Sequence, residues 1–116
     1  MWICLNNAFL SIVDKAENKA NLLVRARRKG DIKRVFPNAI ERHTRGTDYA
    51  YRADIKREDV ALTIAHNIAE INYDNFKNSE EDHQLHNAYT KVWDIMANTQ
   101  VGGAYGYADD EESDEH

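Results

Sequence analysis

Two asparagines, Asn6 and Asn7, separate the apolar runs of the opening text WICLNNAFLSIV, and that separation constrains the fold more than any other feature. A two-residue connection between apolar, β-branched or aromatic runs is the signature of a β-hairpin, and asparagine tolerates the positive φ such a turn requires. The spacing predicts strands over 2–5 and 8–14. Cys4, the single cysteine, lies in the first of them among apolar neighbours, so it is expected to be a small buried hydrophobe; an internal disulfide and a cysteine-rich zinc site are both ruled out.

The polar text DKAENKAN connects the hairpin to a third strand over 22–27, after which Gly30-Asp31 opens a short helix, with Asp31 in the N-cap position and Pro37 as the stop. Residues 38–47 have no period and read as loop. In DYAYRADI, Tyr49, Tyr51, Ala53 and Ile55 alternate with Ala50, Arg52 and Asp54, the pattern of a half-buried fourth strand. From Arg57 the period lengthens: Val60, Ile64, Ile68 and Ile71 form an apolar helical stripe, with Glu58 and Asp59 in the first turn, where the helix dipole favours them. Ser79, with Asp82 three residues on, is a weakened capping box for a last helix carrying Leu85, Tyr89, Val92, Trp93 and Met96 at helical spacing.

The expected fold is α+β: a four-stranded, mainly antiparallel sheet on two long helices, in the order β-β-β-α-β-α-α. The 116 residues suit one domain, over 1–99. Residues 100–116, rich in Gly and Tyr and then almost purely acidic, are expected to be a disordered tail, since such text buries too little apolar area to offset its ordering entropy. No apolar run approaches the roughly 20 residues of a membrane span, and the start has no charged leader or cleavage pattern, so a cytoplasmic location without a membrane partner is expected.

Charge is unevenly placed. Residues 1–57 hold thirteen Lys and Arg against six Asp and Glu, a charge of +7; residues 58–116 hold two against fourteen, a charge of −12. Within the basic half, strand alternation sends Leu22, Val24 and Ala26 to the helix side and Arg25 and Arg27 to the other, where Arg52 of the fourth strand joins them. Arg28, Lys33 and Arg34 extend the positive surface onto the turn and short helix. The arginine stems could simply cover apolar surface while Asp14 or Asp54 pairs with the heads. Alternatively the face binds an anion: an acidic protein surface, nucleic-acid phosphates, or the chain's own residues 109–115. Asn75, Phe76 and Lys77 form a distinctive loop that either binds a partner or plugs the space between helices.

Catalytic signals are sparse. His83 and His86 at helical spacing are weak metal-ligand candidates, with Glu81 or His66 as the nearest further donors in type; as boundary residues they would bond to neighbouring carboxylates instead. No nucleophile elbow flanks Ser11 or Ser79, and no phosphate loop is present. No cofactor is implied.

The blocks MWICLNNAFLSIV, LLVRARRKGDIKRVFP, DYAYRADIKREDVA and INYDNFKNSEEDHQLHNAYTKVWDIM resemble a family of short uncharacterised proteins of proteobacteria and their phages, over about residues 1–96. A phage association implies a small protein that binds and inhibits a bacterial defence or host complex. The sequence therefore supports a non-enzymatic interaction module that docks through Arg25, Arg27, Arg28, Lys33, Arg34 and Arg52, with Asn75, Phe76 and Lys77 as further contacts. A nucleic-acid-associated protein using the same basic residues is the alternative, and a metal-dependent enzyme at His83 and His86 the third. A homo-oligomer through the open sheet face is compatible with all three.

Overall fold

Strands β1 (Trp2–Leu5) and β2 (Ala8–Val13) form the hairpin that Asn6 and Asn7 dictate, with Leu5 opposite Ala8. The computed structural model describes residues 1–79, 81–100 and 102. β3 (Asn21–Ala26) pairs with β2, and the chain then turns into the short helix α1 (Asp31–Val35). Next come β4 (Arg42–His43), β5 (Tyr51–Lys56), α2 (Arg57–Ala69), a 3-10 turn at Phe76–Asn78 and α3 (His83–Ala97). Every strand pairing is antiparallel, in the order β1-β2-β3-β5-β4. The sheet thus has five strands rather than four. The additional one, β4, has only two residues, too few to give a period within a stretch read as loop.

Alternation decides which side of each strand enters the core. Ala8, Leu10 and Ile12 of β2, Val24 and Ala26 of β3 and Ala53 of β5 share one buried face. Ile32, Val35 and Phe36 from α1 and its C-cap, with Val60 from α2, close over it. Helix α1 begins at Gly30, whose φ of 92° lies in the left-handed region that glycine adopts without a Cβ penalty. A Cβ there would also come within 3.1 Å of the Arg34 guanidinium. Gly30, not Asp31, is therefore the N-cap. Asp31 is instead the first helical residue and is buried, 1% exposed.

The two long helices do not share a layer. α2 meets β3 and β5 from the core side, whereas α3 reaches the sheet beside Cys4 and Phe9, which alternation turns away from the core. Cys4 is accordingly exposed, contrary to the buried position expected from its apolar neighbours. The apolar stripe of α2 is also largely uncovered: Val60 is buried and Ile64 packs at the margin, but Ile68 and Ile71 are exposed. The second half of the helix stands off the sheet across a hollow lined by Ile3, Ile12, Leu22, Ile64 and Ile68, so its first half alone is buried in the core.

At the start of α3, Asp82 takes the capping role, its Oδ1 accepting from the backbone N–H groups of Gln84 and Leu85 at 2.9 and 3.2 Å. Ser79, read from sequence as the cap, donates its hydroxyl to the Phe76 carbonyl. Among the described residues no helix is long and apolar enough to cross a membrane. The expected tail over 100–116 falls, beyond Gln100 and Gly102, outside the described residues.

Candidate partner-binding face

Five register partners run in one line across the sheet: Trp2 beside Ser11, Ser11 beside Arg25, Arg25 beside Arg52, and Arg52 beside Arg42. Trp2, Ser11, Arg25 and Arg52 each neighbour a core-facing residue along their own strands, so they lie on the face turned away from the core, and Arg42 joins the line through its pairing with Arg52. Three arginines on β3, β5 and β4 are thereby placed directly opposite one another, an arrangement that like-charge repulsion disfavours unless anions lie between them.

Internal compensation of that row is partial. Arg25 donates from Nη2 to Ser11 Oγ at 2.7 Å, and its Nε is buried without a partner among the described residues. Arg52 donates from Nε to the Tyr49 carbonyl and reaches the exposed Asp48 carboxylate only at 3.9 Å. Arg42 approaches both oxygens of Asp54 at 3.4 Å, with both side chains well exposed. Exposed pairs of this length contribute little.

Tyr49 organises the neighbouring end of the face. Its ring receives the guanidinium of Arg25 at 4.4 Å and that of Arg27 at 4.3 Å from the centroid, while Arg27 Nη1 also donates to the Asp48 carbonyl. Cation–π contacts stabilise by about 0.5–2 kcal/mol each, the larger values applying where water is excluded; Tyr49 is only 4% exposed. The sequence alternation assigned Tyr49 to the core beside Tyr51. Tyr49 is buried as that reading expects, although β5 starts only at Tyr51 and the ring lies against Arg25 and Arg27.

The basic residues singled out in the sequence fall into separate groups. Arg25, Arg27 and Arg52 gather around Tyr49. Arg28 and Arg34 both form ion pairs with Asp31; Arg28 further bridges to Asp82 at 2.7 Å and to Gln84, and Arg34 to the Asn7 carbonyl. Lys33 is exposed on α1. Hydrogen bonding to Asp31 raises the Arg28 pKa further above neutrality, and that to Arg28 holds the Asp82 carboxyl below its ordinary value. Arg42 was not recognised in the sequence, because an aperiodic basic pair, Arg42-His43, gives no parity from which to place it.

Phe76 and Lys77 pack on α3, and Asn75 is the exposed N-cap of the 3-10 turn that presents them. Phe76 packs against Tyr89 at a centroid distance of 5.2 Å, and Lys77 Nζ lies 5.6 Å from the Trp93 ring centre. His86 donates from Nδ1 to the Lys77 carbonyl at 2.7 Å, His83 is exposed, and His66 lies 3.3 Å from Glu70. Among the described residues, no three His, Cys, Asp or Glu side chains are grouped to hold a metal. No family model, curated protein or solved structure matches the chain.

Proposed function

We propose that the chain is a non-enzymatic interaction module whose open sheet face receives carboxylates from an acidic protein surface. The register that sets Arg25, Arg52 and Arg42 side by side carries this reading. A carboxylate seated between neighbouring guanidinium groups accepts paired N–H donors and relieves their repulsion, and charge-assisted bonds of this kind are roughly twice as strong as neutral ones. None of the described cavities is lined by these three residues, so the face suits a broad surface better than a small molecule. Arg27 extends the row at the Tyr49 end. Such a module acts by covering part of its partner, the mode of the phage-borne inhibitors that the family resemblance suggests.

The test is amide chemical-shift mapping with a glutamate-rich peptide and, separately, a DNA duplex. Shifts from the peptide centred on β3, β5 and β4, reduced in an Arg42→Glu/Arg52→Glu variant, support the reading. Shifts scattered over α1 and α3, or a stronger response of the same face to the duplex, contradict it; the latter result points to phosphate binding.

A further inference from the structure

A second site lies where α3 stands away from the hairpin. Tyr89 and Leu85 touch down, but Ala88 and Val92 on the same helix are exposed, leaving a cavity of about 360 Å³ over Cys4 and Phe9. That volume is within the range of small-molecule sites, which are typically apolar clefts with a few polar groups at the mouth. Here the body is Phe9, Ala88 and Val92, and the polar residues are Arg27, Arg28, Asp31 and Gln84.

The rim is electrostatically biased toward one sign. Arg28 is committed to Asp31, Asp82 and Gln84, and Asp31 in turn accepts from Arg28, Arg34 and the Phe9 backbone N–H. Arg27 differs: it donates to a neutral carbonyl, lies over the Tyr49 ring, and forms no ion pair among the described residues. A guanidinium has five N–H donors, so most of its capacity remains for a ligand. The cavity is therefore an apolar hollow with one uncompensated cation at its edge. The apolar surroundings also act on Cys4 in the wall, whose thiol pKa partial burial pushes up.

We propose that this cavity binds a small amphipathic carboxylic acid, its apolar body between Phe9, Ala88 and Val92 and its carboxylate on Arg27. This site is separate from the arginine row, although Arg27 borders both. An apolar chain gains about 25 cal/mol per Å² removed from water, and the carboxylate fixes its direction.

Cys4, the chain's single cysteine, provides a built-in reporter. The full-length protein is alkylated with iodoacetamide at mildly alkaline pH, alone and with octanoate, octylammonium or acetate, and the rate at Cys4 is followed by mass spectrometry. Octanoate slows alkylation severalfold, whereas octylammonium and acetate do not. Arg27→Gln raises the octanoate concentration needed by about tenfold, the effect of losing one charge-assisted hydrogen bond. Ala88→Trp fills the hollow and abolishes the octanoate effect. A rate unchanged by octanoate, equal protection by octylammonium, or protection unaffected by Arg27→Gln overturns the proposal; the last of these does not depend on whether the tryptophan variant folds.

Discussion

Arg28 and Asp82 are 54 positions apart in sequence, yet Arg28 Nη1 lies 2.7 Å from Asp82 Oδ2. The same carboxylate caps α3 through Gln84 and Leu85, so one side chain both starts the helix and ties it to the turn before α1. The chain thus uses this arginine internally, as one of the ties, with Leu85 and Tyr89, that hold α3 beside the hairpin.

Acid should loosen the start of α3. The Asp82 pKa is lowered in the fold, chiefly by its hydrogen bond with Arg28 and then by the backbone N–H of Leu85. A carboxyl with a depressed folded pKa contributes stability that is present above its unfolded value, near 3.9, and is lost as pH falls through the lower folded value. Hydrogen-exchange protection factors at the start of α3, which are corrected for the intrinsic slowing of exchange in acid, should therefore fall on acidification below about pH 4. Asp82→Ala should raise exchange at neutral pH and flatten this acid response; an unaltered acid response in the variant would assign the effect to another group.

Asp31 carries a larger structural role. It is buried, accepts from the Phe9 backbone N–H, and anchors Arg28 and Arg34. Asp31→Ala leaves two cations without their carboxylate and should destabilise the domain by about 3 kcal/mol, the lower end for breaking a buried pair because both arginines retain some water contact. Urea unfolding measures this directly.

Tyr89→Phe isolates a hydrogen-bond contribution. The Tyr89 hydroxyl lies 3.0 Å from the carbonyl oxygens of both Leu5 and Ala8, at the two ends of the hairpin turn. Removing it should cost roughly 1–2 kcal/mol with the ring still packed, since an acceptor that loses its donor keeps its desolvation penalty. Urea unfolding should show a lower midpoint with an unchanged slope.

Ile68→Lys should change stability by less than about 0.5 kcal/mol, as surface substitutions do. Val60→Ala should cost more, because Val60 is 5% exposed and Ile68 is 63% exposed. Comparison of the two melting temperatures checks whether the second half of α2 is free of the core.

This contrast shows where the sequence was legible. Strand parity over Leu22, Val24 and Ala26, and over Ala53 and Ile55, located the core face because a period of two holds wherever a strand pairs on both edges. The helical period located α2 and α3 but not their depth: Ile68 has the spacing of a core residue but stands off the sheet and is exposed. Cys4 failed in a related way, by lying on the face left open beside α3. Gly30 displaced Asp31 as the cap because a positive φ at the entry to α1 suits glycine. The arginine row was visible at Arg25 and Arg52 through parity, whereas Arg42 required the register of a two-residue strand.

The most direct measurement of the central claim is retention of a protein partner from nuclease-treated bacterial lysate by the wild-type chain and by Arg42→Glu/Arg52→Glu, with circular dichroism verifying that the variant is folded. The account predicts that the wild type retains an acidic partner and that charge reversal abolishes retention while the fold is preserved. Equal retention by both proteins, or loss from the wild type on nuclease treatment, would contradict it.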